Sequence, residues 1–380
     1  MKKIKIGFLC TQPPTNKKVW SGTIYKMYEA LIHQGFEIVW IPIQYTEKQN
    51  LLFDKIANIY YKIFNRGFNK NQFITKAIIG SRNISKIIKK ENPDVLFAPT
   101  CATEIAFLKT KKPILYLNDA TFHLLLNYYG AMSGFGFLSK KITTFIEKKA
   151  LQKANTLVFS SDWASNDAHY FYGIEKVKIH TIKFGSNAEV PEQINLNKDY
   201  SGQIIFLFLA VDWERKGGET ALKTIEILKN KGYNVSLKVV GCTPPRTSKA
   251  MEVIPFLNKN IPEEAQKIRD ILNESHFLFL PTLADCTPIS FCEAAGYGLA
   301  VITTNTGGIP SLIDEDLTGN MLPVSASAED FAYLIETKYL NHLDKIPQIS
   351  LNARKKYETE LNWQIWGDKM KELIQNLIVS

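Results

Sequence analysis

The sequence predicts an α/β protein made of two domains, each built on a parallel sheet with helices on both faces. The chain has 380 residues, which is enough for two well-buried cores. Short apolar runs, read as buried strands, alternate with helical patterns along both halves. The polar segment 186–203, which contains Pro191 and Gly202, interrupts this alternation and is interpreted as a linker. Two such domains side by side would form a cleft, with the linker as its hinge.

In the first half, strands alternate with helical segments. The strands are expected at residues 4–10, 36–42, 94–98, 113–117, 156–160 and 178–183. After the first strand, Ser21 or Thr23 is expected to cap a helix that runs to about Gln34 and is closed by Gly35. Such alternation is typical of a parallel sheet.

Residues 51–90 form a long helical stretch in which aromatic and basic side chains are interleaved. One interpretation is an amphipathic surface that meets anionic lipid or a lipid-linked acceptor. The other is a pair of ordinary helices with aromatic core faces and solvated lysines. The pattern alone leaves both open.

The second half repeats the alternation. Strands are expected at residues 204–211, 236–240, 276–280 and 299–303, and helices at residues 219–231 and 263–273. Thr287 is expected to cap a further helix whose first turn begins at Pro288. In that helix Ile289, Cys292 and Glu293 share one face, so the Glu293 carboxylate is expected to point inward and to need a partner.

Composition restricts the class of protein. Apolar residues make up 45% and charged residues 22%, as in ordinary soluble proteins. No apolar run approaches the roughly 18–20 residues of a membrane span. Lys5 interrupts the N-terminal apolar run, which is therefore interpreted as a strand and not as a signal peptide, and a cytoplasmic protein is expected. The five cysteines have no metal-ligand spacing and are expected to be reduced thiols.

Charge is divided unevenly between the halves. Residues 1–185 hold 27 Lys and Arg against 12 Asp and Glu, a net charge of +15, whereas residues 186–380 have a net charge of −6. Such asymmetry indicates an anionic partner for the first half, which could be a membrane surface, a phosphorylated acceptor or nucleic acid. Nucleic acid is disfavoured because the basic residues form no recognisable nucleic-acid motif. Peripheral contact with the inner face of the cell membrane is therefore one prediction, and a phosphorylated acceptor is the other.

Three loops of the second half are candidate anion sites. Arg215, Lys216 and two glycines stand between a strand end and a helix start, where backbone N–H groups and cations can hold a phosphate. The alternative is a surface loop with solvated cations. The Gly307–Gly308 turn and the helix start over residues 287–290 belong to the same sheet edge, which favours the phosphate interpretation. A dinucleotide dehydrogenase lacks support because GxGxxG is absent.

In the first half, His123 follows the strand 113–117 and faces the expected ligand edge, beside Asp119 and Thr121. The acidic run over residues 314–316 is better explained as a solvated turn than as a metal site. No zinc-ligand spacing and no hydrolase GxSxG motif occur.

Together these residues resemble the GT-B glycosyltransferases of family 4. The segments that carry the resemblance, over almost the whole chain, are Trp20–Thr23, Asp119–His123, Ser160–Ala164, Phe184–Asn187, Trp213–Gly218 and Asp285–Gly308. The resemblance implies two Rossmann-like domains: an acceptor-binding domain over residues 1–185 and a nucleotide-sugar-binding domain over residues 186–360. It also implies that the C-terminal helix, residues 361–380, packs back on the first domain.

The resemblance assigns roles to matching positions. Lys216 would hold the donor diphosphate, which the amides near Gly22 would also approach. Glu293 would accept the ribose hydroxyls. His123 and Asp285 would lie near the donor sugar. The expected catalytic residues are His123, Asp285 and Lys216, and the expected donor-binding residues are Gly22, Arg215, Lys216, Asp285, Thr287, Pro288, Ile289, Ser290, Glu293, Gly307 and Gly308.

The expected activity is transfer of a sugar, with retention, from a UDP- or GDP-sugar to a hydroxyl of a carbohydrate or lipid-linked acceptor. Cations and helix termini would neutralise the leaving diphosphate, so neither a metal nor another cofactor is expected. Two positions depart from the family pattern: Asp285 stands where Glu is usual, and Val211 where Arg is common. These departures suggest an alternative, a non-catalytic sugar-nucleotide binder or partner subunit. Arg215 is a candidate replacement for the missing cation.

Overall fold

The computed structural model describes residues 3–196 and 198–379. Asn197, in the predicted linker, and Ser380, at the end of the predicted C-terminal helix, lie outside the described residues. The chain divides into two compact units: unit 1 is Met1–Ile182 with Trp366–Ser380, and unit 2 is Lys183–Ile365. Among the described helices, none combines the length and the apolar character needed to cross a membrane.

Unit 1 contains a six-stranded parallel sheet with the order β2-β1-β3-β4-β5-β6. Its strands are β1 (Lys5–Cys10), β2 (Glu37–Pro42), β3 (Val95–Pro99), β4 (Ile114–Asn118), β5 (Thr156–Phe159) and β6 (Ile179–Thr181). Its helices are α1 (Thr23–His33), α2 (Glu47–Phe64), α3 (Ile74–Glu91), α4 (Ala102–Ile105), α5 (Phe122–Leu125), α6 (Phe137–Lys153) and α7 (Asp162–Tyr170). Residues 95–99 of β3 are buried on both faces, as expected for a central parallel strand.

Unit 2 contains a second six-stranded parallel sheet, with the order β12-β11-β10-β7-β8-β9. Its strands are β7 (Ile204–Leu209), β8 (Val235–Val240), β9 (Met251–Ile254), β10 (Phe277–Leu280), β11 (Ala300–Asn305) and β12 (Gly319–Pro323). The remaining helices are α8 (Gly218–Asn230), α9 (Pro262–Glu274), α10 (Ile289–Gly296), α11 (Ala328–Lys338), α12 (Ile346–Thr359) and α13 (Trp363–Val379). The expectation of an α/β protein with two parallel sheets is therefore confirmed.

The C-terminal part of α13 belongs to unit 1. Trp366 is fully buried, and its ring lies 6.2 Å from that of Phe97 on β3. Gln34, just after α1, donates to Asp368 at 2.7 Å. The helix therefore extends the core of unit 1 with an aromatic contact and fixes its exposed side with a hydrogen bond.

The stretch 51–90 is not one long helix. A capping box at Thr46 starts α2, which ends at Asn65 in the left-handed conformation (φ 49°). An irregular segment then leads to α3. Asn tolerates positive φ better than most residues, so the Asn65-Arg66-Gly67 sequence ends the helix.

The predicted linker lies against unit 2 over much of its length. Arg354 of α12 donates to the carbonyls of Pro191 (3.1 Å), Glu192 (3.0 Å) and Gly296 (2.7 Å). The Tyr297 hydroxyl donates to the Glu189 carbonyl at 2.9 Å. The buried Arg354 thus satisfies the backbone carbonyls of Pro191 and Glu192, and the segment that polarity marks as a linker is part of unit 2.

Candidate functional site

The topology of unit 2 marks one edge of its sheet for ligand binding. From β7 the chain proceeds through β8 to β9 on one side, and β10, β11 and β12 lie on the other. In open parallel sheets, ligands bind at the carboxyl ends of the strands where the order reverses. Here the loops after β7 and β10, residues 210–217 and 281–288, flank that point. They contain Arg215, Lys216 and Asp285.

These three charged side chains converge. Lys216 Nζ contacts Asp285 Oδ2, and Arg215 Nη1 lies 3.7 Å from the same oxygen. Lys216 and Asp285 are each only 8% exposed. Arg215 also donates to the Ala284 carbonyl at 3.0 Å and to Asp212 at 3.2 Å. The edge thus presents two cations around one buried carboxylate, a group that can bind a further anion.

Backbone geometry draws the two loops together at the start of α8. Gly217 has φ 73°, and a Cβ there would lie 2.0 Å from the Pro281 carbonyl oxygen. A Cβ on Gly218 would lie 2.1 Å from the Trp213 ring. Only glycine fits at either position. Gly217 is the N-cap and has no side chain to cap the helix, so α8 begins two residues after Lys216. Its first amide, that of Gly218, donates to the Trp213 carbonyl at 2.8 Å.

The Gly307–Gly308 turn joins the same edge. It follows β11, the neighbour of β10, and Gly307 has φ 55°. The Gly308 amide donates to the Asp285 carbonyl at 3.3 Å. The structure therefore brings Arg215, Lys216, Asp285 and this turn together.

Helix α10 begins one residue later than expected. Its N-cap is Pro288, and no side chain caps it. The prediction that Thr287 is the N-cap is wrong, because Pro288 itself has an extended ψ of 113° and delays the first helical residue to Ile289. Ser290 lies in the first turn.

Glu293 is buried, with 1% exposure, and its Oε1 contacts Lys259 Nζ. The expected inward orientation is confirmed, although the reason differs. Residues 291–296 of α10 are all buried, so the helix is enclosed on every side and does not rest on one face. Lys259 was missed because it stands 34 positions away in a loop, and no spacing pattern marks it.

Unit 1 presents its own candidate residues at the carboxyl edge of its sheet. Before α1, Trp20, Ser21 and Gly22 all have positive φ (48°, 54° and 89°). Gly22 is the N-cap, so the expected capping by Ser21 or Thr23 is wrong. A left-handed turn at two non-glycine residues is costly, and such strain concentrates at functional positions.

His123 is held in a fixed orientation. Its Nδ1 donates to Asp167 Oδ1 at 2.7 Å, and its ring stacks on Phe171 with 3.5 Å between centroids. Thr121, the N-cap of α5, also contacts Asp167. Asp167 was missed because α7 comes after the next strand, so only the folded sheet brings it to His123.

A buried acid supports the same turn. Both Glu147 oxygens accept from the Phe122 amide (3.0 and 2.8 Å), and one also contacts the Tyr172 hydroxyl. These donors favour the carboxylate, but burial outweighs them and raises the pKa of Glu147 to about 7. The protonated acid is therefore favoured by folding, relative to an ordinary Glu pKa of about 4.3 in the unfolded chain.

The stability of unit 1 is expected to depend on pH through Glu147. The pKa of Glu147 is about 7 in the folded chain, above the ordinary value of about 4.3 in the unfolded chain. The stabilisation that this group gives is therefore complete below pH ~4.3 and is lost as the pH rises through 7. Relative to Glu147→Gln, the wild-type free energy of unfolding should fall by up to about 3 kcal/mol between pH 4.5 and 8. Urea denaturation of both proteins at several pH values checks this, and parallel pH profiles would contradict it.

The acidic run after β11 forms salt bridges and side-chain hydrogen bonds. Asp314 contacts Lys356 at 2.6 Å, and Asp316 contacts Lys338 at 2.9 Å. Glu315 accepts from the Asn320 amide at 2.6 Å. Within residues 3–196 and 198–379, no cluster of His, Cys, Asp and Glu has the arrangement of a metal site. The side chains of Asp314 and Asp316 stay 48% and 57% exposed, as expected of a solvated turn.

The site can be compared with known proteins. Residues 203–340 match the family Glycosyl transferases group 1, a range that holds every predicted site residue of unit 2. The amylovoran biosynthesis glycosyltransferase AmsK of Erwinia amylovora is 27% identical over 218 residues, which are 54% of this chain and 52% of AmsK. The match thus spans about half the length of that relative.

Solved structures share the fold over the whole chain. A glycosyltransferase from Rickettsia africae superposes with a TM-score of 0.67 and 17% identity, over 100% of this chain and 99% of the other. Anabaena HepE, solved in complex with UDP and glucose, superposes with a TM-score of 0.59 and 13% identity, over 98% and 100%. Residues 203–340 therefore match the family Glycosyl transferases group 1, and the two units have the GT-B fold.

Proposed function

We propose that this protein transfers a sugar, with retention of anomeric configuration, from a nucleotide-diphosphate sugar to a hydroxyl acceptor. The observation that carries the proposal is the convergence of Lys216, Arg215 and the α8 N-terminus at the strand-order reversal of unit 2. A leaving diphosphate gains negative charge as the sugar departs. Cations and amides already fixed at that position would stabilise it without reorganisation.

Each predicted residue of unit 2 has a part in this proposal. Lys216 and Arg215 bind the diphosphate beside the N-terminus of α8. The Gly307–Gly308 turn lies at the same edge, with its Gly308 amide donating to the Asp285 carbonyl. The N-terminal residues of α10, Thr287 to Ser290, flank the same anion. Glu293 accepts the ribose hydroxyls, and Asp285 orients the sugar. The diphosphate-binding role of Gly22 and the sugar-binding role of His123 remain predictions from the resemblance.

The donor is a UDP- or GDP-sugar, and UDP is the first to test because HepE was solved with UDP. The acceptor is a carbohydrate or a lipid-linked glycan of a cell-surface polysaccharide or glycolipid. The similarity to AmsK, a glycosyltransferase of amylovoran biosynthesis, supports this choice. Lys216 and Arg215 supply the charge for which other transferases use a metal, so we propose that transfer needs none.

The assay is release of nucleoside diphosphate from a panel of UDP- and GDP-sugars by the purified chain. We expect one donor to be hydrolysed slowly, and faster with acceptor, at an unchanged rate in EDTA. Retention is read from the anomeric configuration of the product. Binding of a donor without any release would favour the non-catalytic alternative. That alternative is suggested by Asp285, which is shorter than the usual Glu and is already engaged by Lys216 and Arg215.

We further propose that unit 1 meets an anionic membrane through α2 and the start of α6. Phe53, Tyr60, Phe68 and Phe73 pack against one another and form a local core, whereas Tyr61 and Phe64 are 56% and 59% exposed. Four aliphatic side chains of α2 are also exposed. Leu52, Ile56, Ile59 and Ile63 share one face of α2 and are 39–67% exposed.

The start of α6 extends this exposed face. The Gly67 amide donates to the Gly134 carbonyl, and the Gly136 amide donates to the Gly67 carbonyl, both at 2.9 Å, which places the end of α2 beside α6. There Phe137 is 72% exposed and lies under the Lys141 ammonium, 4.4 Å from its ring centroid. Lys55 and Lys62 on α2 are also exposed. Apolar side chains flanked by lysines fit an anionic lipid surface.

Flotation with liposomes tests the membrane contact. The wild type should float with vesicles rich in phosphatidylglycerol and not with phosphatidylcholine. The variant Ile59→Ser/Ile63→Ser should lose most of this binding, whereas Tyr333→Ser, an equally exposed position of unit 2, should keep it. Absence of binding to either vesicle, or equal binding by all three proteins, would contradict the proposal.

A further inference from the structure

The contact between Lys259 and Glu293 joins a buried helix to a surface loop. Glu293 lies on the enclosed helix α10 with 1% of its side chain exposed. Lys259 is on the loop 255–261 between β9 and α9, and 35% of its side chain is exposed. A buried carboxylate is costly without a partner, so this ammonium stabilises it.

The loop is otherwise fixed by short-range contacts. The Asn258 amide contacts the Glu264 carboxylate, and the Asn260 amide donates to Asn258 Oδ1 at 3.0 Å. The Ile261 amide donates to the Asn258 carbonyl at 3.0 Å. These bonds shape the turn but do not attach it to α10. Lys259 makes that attachment.

The residues around Lys259 suit a loop that moves. Leu257 packs partly against the core of unit 2, whereas Phe256 is 64% exposed. Ile254, at the end of β9, is buried. Segments with few buried contacts open at low free energy. The loop therefore has a fixed base at β9, and Lys259 pairs its tip with Glu293.

We propose that Lys259 is a latch, which holds the Glu293 carboxylate until a nucleotide ribose takes its place. This inference rests on the proposed function, in which Glu293 accepts ribose hydroxyls. A ribose diol can donate two hydrogen bonds to the carboxylate, and in this proposal it competes for them with the ammonium already at Oε1. Exchange of partners keeps Glu293 satisfied throughout and releases the tip of the loop 255–261.

If Lys259 is a latch, its removal should change nucleotide affinity in the direction opposite to that expected for an ordinary binding residue. If Lys259 only lined the site, its removal would weaken nucleotide binding. If it competes with the ribose, Lys259→Met should tighten binding, because the fraction of competent protein rises. A latch that is open one-tenth of the time gives about a tenfold lower Kd when it is removed.

The experiment is calorimetric titration of UDP and GDP into wild type, Lys259→Met and Lys267→Met. Lys267 is an exposed lysine of α9 and provides the matched control for loss of charge. We expect about tenfold tighter binding by Lys259→Met alone. Without nucleotide, amide hydrogen exchange should also be faster over residues 255–261 in that variant than in wild type, and the difference should disappear when nucleotide is bound.

The possible results distinguish failure of the latch from failure of the proposed function. If wild type binds a nucleotide and Lys259→Met binds it equally or more weakly, the latch is wrong and the donor site stands. If Lys259→Met and Lys267→Met both bind more tightly, general charge loss is the cause and the latch is wrong. If none of the three proteins binds a nucleoside diphosphate, the proposed function fails, and the latch fails with it.

Discussion

Replacing Lys216 with methionine is expected to lower the rate of sugar transfer at least about a hundredfold. The ammonium is 8% exposed and lies at the sheet edge where the donor diphosphate is proposed to leave. A fixed cation in a site shielded from water stabilises developing charge far more than a solvated one. The loss should appear mainly in kcat, because the charge on the diphosphate grows during the reaction.

Two further variants separate this effect from damage to the fold. Lys223→Met removes an exposed lysine of α8 that pairs with Glu219 at 3.6 Å, and its rate should stay near that of wild type. Lys216→Met/Asp285→Asn removes both charges of the buried pair. The Asp285 carboxylate is therefore not left buried without the Lys216 ammonium. That double variant should unfold at about the wild-type temperature and remain inactive. An unaltered rate for Lys216→Met would overturn the role of this residue.

Replacing Gly217 with alanine is expected to lower the free energy of unfolding of unit 2 by about 3 kcal/mol. Two costs add. An alanine at φ 73° is strained by about 1–2 kcal/mol, and its Cβ would lie 2.0 Å from the backbone oxygen of Pro281, which cannot rotate away. The loops after β7 and β10 would have to separate, so nucleotide binding should weaken as well.

Gly232→Ala is the matched control. Gly232 also has positive φ (95°), but no atom lies within 4 Å of the position a Cβ would take. Its cost should be the strain alone, about 1–2 kcal/mol. Urea denaturation of the two variants measures the difference. Equal destabilisation would show that the close approach of Pro281 does not constrain Gly217.

The central strands could be predicted from sequence because they are continuous apolar runs. β7, β10 and β11 were expected within two residues of their observed ends. The edge strands β9 and β12 were missed. In β9, Glu252 and Val253 are exposed, and β12 begins with Gly319 and ends with Pro323. β9 is only four residues long and half exposed, and Gly and Pro at the ends of β12 are depleted in strands, so neither is a clear apolar run. Each pairs with the neighbouring strand of the sheet.

The residues of the candidate site were also predictable only in part. Lys216 and Asp285 were found because each stands at a strand end with a helix start nearby. Their direct contact joins residues 69 positions apart, which is a property of the folded sheet. Asp167 and Lys259 had no such signal. Asp167 contacts His123, and Lys259 contacts Glu293. Packing of the folded chain brings these pairs together, and no spacing in the sequence marks them.

Titration of UDP and GDP into wild type and Lys216→Met tests the central claim most directly. The claim is that the edge of the unit 2 sheet, around Lys216 and Asp285, binds a nucleoside diphosphate. We predict that at least one of the two nucleotides binds the wild type, one molecule per chain, and binds Lys216→Met at least about tenfold more weakly. Binding of neither nucleotide, or equal binding by both proteins, would contradict the claim.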